Sequence, residues 1–279
     1  MAISQTPELL NHQQMDVLRQ RTRLLWQKLK DEKPAALFFL DISAREFSFQ
    51  LKVFNRNQAE PLKIPPEYPL NFGSEKTELF TSFLLDKERN FKQVQNLSEE
   101  DQIIKSHLQK HARILRALRT VDIDHIRSFV KPATYKELIA HFCSRETLVS
   151  IYGEENILKF EEVLKKIACD NPRLIIDDVT YTGFSIVLLS SILATLDPTH
   201  EYRFFEMFNE STMKQFTGEN LYLPWTRSGN QHYESSQLIS EPKDSRSFVS
   251  QLVKDRRQRE RAVRLRMAIR THFSNKSDI

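Results

Sequence analysis

Arg173-Leu-Ile-Ile-Asp-Asp-Val-Thr-Tyr-Thr-Gly-Phe-Ser185 is the stretch from which the fold can be read. Leu174, Ile175 and Ile176 form a short apolar run closed by Asp177 and Asp178. So short a run, without polar alternation, predicts a strand buried on both faces of a parallel sheet. Phe184 to Leu196 is uncharged and mostly apolar, which predicts a buried helix packed back onto that sheet. Asp177 to Ser185 is then a strand-to-helix loop at a strand's carboxyl end, where open α/β sheets bind ligands. Its residue types suit a phosphate. A helix start offers backbone N–H groups, Thr182 and Ser185 add hydroxyls, and Gly183 permits close backbone approach. Asp177 and Asp178 offer acceptors to sugar hydroxyls or to hydrated Mg²⁺.

The same pattern occurs upstream. Ala35-Ala-Leu-Phe-Phe-Leu40 predicts a second buried strand, and Phe47, Leu51 and Phe54 fall on one face of a following helix. The polar residues Asp41 to Phe47 between them are expected as a loop, with Arg45 suited to a phosphate group.

Residues 177–185 resemble the phosphoribosyl-pyrophosphate (PRPP) loop of type I phosphoribosyltransferases. The matching order is an apolar strand, two acids, Val179, two variable residues, Thr-Gly, one variable residue and Ser185. Ser43-Ala-Arg-Glu-Phe47 is similar to the pyrophosphate loop Glu-Ala-Arg-Gly-Phe of adenine phosphoribosyltransferases, with Glu46 where that family has glycine. The resemblance implies that Asp177 and Asp178 contact the ribose hydroxyls and metal-bound water. It assigns Thr180, Tyr181, Thr182, Gly183, Phe184 and Ser185 to the 5′-phosphate, and Ser43, Ala44 and Arg45 to pyrophosphate. The implied activity is transfer of phosphoribose from Mg²⁺–PRPP to a nitrogen acceptor, with pyrophosphate release through an oxocarbenium-like transition state. Tyr181 stands where 6-oxopurine enzymes carry an Asp against the purine, which argues against hypoxanthine or guanine as acceptor. The implied fold is α/β, a small parallel-sheet core of the type I phosphoribosyltransferase kind with a large helical insertion and helical termini. Glu46, Tyr181 and an unidentified catalytic lid also fit a PRPP- or nucleotide-sensing regulator without catalysis. A nucleic-acid- or partner-binding protein on a degenerate form of the fold is the third reading.

At 279 residues and 40% hydrophobic content the chain can fill one large α/β domain or a domain with an insertion. Its longest uncharged apolar stretch is too short to span a bilayer, so no membrane partner is expected. No secretory segment precedes Arg19, and Cys143 and Cys169 make no close-spaced pair. A reducing, cytoplasmic setting is the expectation. Residues 254–270 hold eight Lys/Arg against Asp255 and Glu260, so the basicity behind the net charge of +4 belongs to the tail. An anionic partner for that tail and a homodimer are the further partner expectations.

Residues 1–34 are expected as an N-terminal helix that starts at Thr6-Pro7-Glu8 and is closed by Pro34, its stripe running through Met15, Leu18, Thr22, Leu25 and Leu29. Residues 35–73 and 172–245 are the core, with an edge strand near Tyr68–Phe72 because proline is tolerated there. Residues 74–171 are a helical insertion, with helices opened by Ser98-Glu-Glu-Asp and Thr134-Tyr-Lys-Glu137 and a third over Glu154–Ala168. This insertion is expected to be a cap on the sheet. Tyr202–Phe208 predicts another strand. Tyr222 and Trp225 are candidates to stack on a base, since aromatic faces suit nucleobases. His107 and His111, at helical spacing, are read as helix-surface or interface residues and not as metal ligands. Residues 246–279 form a basic C-terminal helix and tail, expected to pack little of itself into the core.

Overall fold

The computed structural model describes residues 10–72, 74–94, 96–120, 132–167, 170–179, 184–208, 238–239 and 256–274. Strand β1 (Ala36–Leu40) is buried at every residue, and β3 (Arg173–Val179) lies beside it in parallel, Phe39 opposite Ile176. β2 (Glu67–Leu70) flanks β1, β4 (Tyr202–Phe208) flanks β3, and the order is β2-β1-β3-β4, all parallel. Both predicted central strands are therefore buried on two faces, as their unbroken apolar runs require. β2 is the expected short edge strand and carries Pro69 opposite Phe39. Leu238 and Ile239 are buried, and Ile239 bridges antiparallel to Leu70.

The alternation of side chains divides the core into two. Leu37, Phe39, Leu174 and Ile176 face a layer made of α1 (His12–Glu32), α2 (Asp41–Arg56) and α9 (Arg256–Ser274). Ala36, Phe38, Leu40 and Ile175 face the other layer. That layer holds α3 (Ser74–Gln93), α4 (Glu99–Thr120), α5 (Pro132–Phe142), α6 (Arg145–Tyr152), α7 (Glu154–Lys165) and α8 (Phe184–Leu196). Phe80, Leu138, Leu148 and Phe160 of the insertion share one apolar cluster with Ile175 of the sheet and Leu188 of α8. The insertion is a cap on the sheet. β1 connects to β2 through α2 on one face and β3 to β4 through α8 on the other, so the chain reverses direction between β1 and β3. Their carboxyl ends border the topological switch point, where ligands enter such sheets.

Several boundaries differ from expectation. Residues 41–47 are not a loop: α2 starts at Asp41, directly after β1. Ala44 is fully buried with Phe47 and Leu51, so the apolar helical stripe reaches back into this segment, and no Gly or Pro breaks it. α1 starts after Asn11, which forms a reciprocal capping box with Gln14; Thr6-Pro7-Glu8 lies outside the described residues. α1 ends as expected, Lys33 taking a left-handed cap (φ 45°) just before Pro34. α5 starts at Pro132, which places Thr134 inside the helix and not at its cap. Ser98 does cap α4, its Oγ accepting from the Asp101 N–H at 3.1 Å. The helix expected over 154–168 is preceded by α6, capped by Ser144 and separated from α7 by Gly153 at φ 86°.

The tail is the larger correction. Leu265, Ile269 and Phe273 are exposed by 1%, 0% and 1% and pack with Leu18, Phe47 and Phe54. The charged stretch Lys254–Arg261 masks an i, i+4, i+8 stripe that begins just after it. His107 is a helix-interface residue: its ring stacks on His141 of α5 at 5.7 Å.

Candidate functional site

The carboxyl ends of β1 and β3 each run into a helix, and β2 reaches the start of α3 within four residues, Asn71 to Ser74. The starts of α2, α3 and α8 therefore gather along one edge of the sheet. The first turn of any helix has N–H groups without intrahelical acceptors, and the helix dipole there favours anions by about 0.3–1 kcal/mol. Three helices starting elsewhere satisfy some of those groups themselves: Asn11 caps α1, Ser98 caps α4 and Ser144 caps α6. At the sheet edge the residues that directly precede the helices are of other types. Leu40 precedes α2 and makes no side-chain cap, while α3 and α8 follow Gly73 and Gly183, which have no side chain to offer. α7 also follows a glycine, but Glu154 and Glu155 supply negative charge to its first turn. α8 has no acid there, and its start is the one best suited to an external anion.

Asp177 lies near the carboxyl end of β3 and is 8% exposed. Strand register sets it next to Glu206 of β4, with both on the face that carries Ile175 and Phe204. Two hard oxygen donors side by side suit Mg²⁺ held through water. Ser185, in the first turn of α8, is half-buried, and its Oγ lies 3.2 Å from Thr77 Oγ1 of α3. Thr81 donates to the Thr77 carbonyl at 2.9 Å, and the Tyr152 hydroxyl donates to the Lys76 carbonyl at 3.1 Å. The insertion thus reaches the site and holds the first turn of α3 against α8.

Among the predicted site residues, the Ser43–Arg45 turn follows β1 and Asp177 lies near the carboxyl end of the neighbouring β3. Ala44 contributes a buried methyl to the core, and as the fourth residue of α2 its N–H is taken up by the helix, so it offers a ligand neither side chain nor donor. The side chains of Ser43, Arg45, Glu46 and Asp178 lie outside the described residues, as do Thr180, Tyr181, Thr182 and Gly183. Phe184 is buried in the cap-side core and acts in packing. Tyr222 and Trp225 also fall outside the described residues. Among those described, no group of three or more His, Cys, Asp or Glu gathers to hold a metal.

Sequence reading did not find Thr77 and Glu206. A glycine directly ahead of a serine-led helix, after an edge strand, was the available signal for α3. For Glu206 the signal was a lone acid in an apolar strand, four residues after Tyr202 as Asp177 is four after Arg173. No protein-family model, curated protein or solved structure matches the chain.

Proposed function

We propose that this chain binds Mg²⁺–PRPP across the carboxyl ends of β1 and β3 and transfers its phosphoribose to a nitrogen acceptor, releasing pyrophosphate. One observation carries the reading. An acid near the carboxyl end of a central strand and an acid-free helix start preceded in sequence by glycine border a topological switch point, beside a second strand–helix junction with an arginine.

In this reading Asp177 accepts from the ribose hydroxyls, with Asp178 beside it, and the start of α8 with the Ser185 hydroxyl holds the 5′-phosphate. The start of α2 with Arg45 holds the pyrophosphate. Asp177, with Glu206 nearby, would hold a substrate-borne Mg²⁺ through water, and the ion would supply charge neutralisation for the pyrophosphate. The chain's own work is positioning and electrostatic stabilisation of an oxocarbenium-like transition state. The unbroken helix at 41–47, where the resembled family has a loop, favours a second reading: a PRPP or nucleotide sensor without catalysis.

Titration calorimetry with Mg²⁺ and PRPP tests the site. Asp177→Asn with Asp178→Asn removes two charge-assisted hydrogen bonds, so binding weakens by roughly 3–6 kcal/mol, a hundredfold or more. Wild type without affinity, or a double mutant with equal affinity, overturns the reading. Pyrophosphate release on adding nitrogen bases or amines separates enzyme from sensor.

A further inference from the structure

We propose that α9 is a docking surface for a single-stranded nucleic acid, gripped through its phosphates. This stands on different residues from the phosphoribosyl reading and does not depend on it.

Seven of the eight basic residues between 254 and 270 are arginine, and all seven lie on α9. Guanidinium forks match phosphate oxygens in a bidentate way that ammonium groups do not. The helix stands on the body through Leu265, Ile269 and Phe273, which leaves its other face outward. That face carries Arg264 and Arg270 together with Val263 and Met267, exposed by 57% and 62%. Arg266 and Arg270 stack over the Phe49 ring, 5.1 and 5.3 Å from its centroid. Stacking restrains both side chains before any partner arrives, so less rotamer freedom is lost on binding.

The choice of partner follows from what the helix has already used. A membrane-surface helix needs its apolar stripe free to enter the lipid, and here that stripe is in the core. An acidic peptide matches the charge, but a run of acids long enough to meet seven arginines brings few apolar groups to exposed Val263 and Met267. A single strand supplies both halves: one phosphate per nucleotide for the arginines, and unpaired base faces for the apolar pair. RNA and DNA share this chemistry.

Fluorescence anisotropy of the full chain with labelled RNA and DNA strands of about 20 nucleotides tests the proposal. Affinity should fall with salt by a log–log slope of about −0.7 per phosphate contacted. The variant R256Q/R257Q/R264Q/R270Q should bind about tenfold or more weakly with a shallower slope, while it stays folded. Lysine at the same four positions keeps the slope and loses affinity, which reads the fork separately from the charge. Preference for RNA assigns a reading of the 2′-hydroxyl, and equal binding assigns the phosphates alone; both support the proposal. No binding of either strand, equal affinity in the glutamine variant, or tighter binding of polyglutamate or of phosphatidylserine vesicles overturns it. Loss of strand binding with Mg²⁺–PRPP binding retained distinguishes this surface from the crevice.

Discussion

Arg173 opens the strand that ends in the acid pair, and its guanidinium is fully buried. It donates to the Leu164 and Ile167 carbonyls at 3.1 Å each, to the Tyr202 hydroxyl at 2.6 Å, and pairs with Asp197. One side chain thus ties the end of α7, the end of α8 and the start of β4 to the foot of β3. Arg173→Met leaves Asp197 and two carbonyls without this donor, and should cost about 3–5 kcal/mol in urea unfolding. Adding Asp197→Asn recovers part of that loss if the two side chains are coupled. Burial alone would raise the Asp197 carboxyl, but hydrogen bonds from Tyr202 and His200 and the charge of Arg173 outweigh it and hold the carboxyl below its ordinary value. A carboxyl lowered in the fold adds stability above its unfolded value, near pH 3.9, and loses it as pH falls through the folded value. Acid titration of the melting temperature should therefore fall less steeply in Asp197→Asn than in wild type. Cys143 is the opposite case. Burial pushes its thiol up to about 11 against a hydrogen bond involving Thr195, so in a Cys169→Ser background it should resist thiol reagents until the chain unfolds.

At the scale of elements, α9 has two jobs divided along its length. Leu265, Ile269 and Phe273 anchor it, Phe273 meeting Phe54 edge-on at 6.3 Å. Ile269→Ala should destabilise the fold by about 2–5 kcal/mol in denaturant unfolding, a large-to-small change in a filled site. Truncation after about residue 250 would remove this anchor, so it should lower the melting temperature instead of leaving it intact. α1 is held as firmly at its middle: Arg21 donates to the Glu206 and Met207 carbonyls of β4, each at 2.5 Å. Its C-terminal cap carries a cost, because Lys33 sits in the left-handed region that side chains disfavour. Lys33→Gly should raise stability by up to about 1 kcal/mol, read as a shift of the urea midpoint without change in slope. α2 shows how an element can be legible in kind and misplaced in extent. Phe47, Leu51 and Phe54 announced the helix, yet Ala44 belongs to the same buried stripe, and a small residue among polar ones carries little periodic signal.

For the whole molecule, the roughly hundred-residue insertion behaves as part of one core, since Phe80, Leu138 and Phe160 join the cluster that holds Ile175 and Leu188. Limited proteolysis should release no fragment near residues 74–172 that folds alone. An independently folded fragment would show that the insertion has a core of its own, separate from the cap-side layer of the sheet. The sequence by itself determined the central strands, the buried helix after the acid pair, the edge strand at Pro69 and the basic character of the tail. Each rests on local pattern: an unbroken apolar run, an uncharged helical stretch, a proline that cannot donate, a cluster of like charge. Tertiary structure alone decided that the two strand ends meet, because parallel pairing joins residues more than a hundred positions apart. It also decided that Thr77 reaches Ser185, that Glu206 stands beside Asp177 and that Arg173 closes the foot of the sheet. No local pattern encodes those contacts. They follow from which face each strand turns toward the cap, a choice made only when both apolar layers are buried at once.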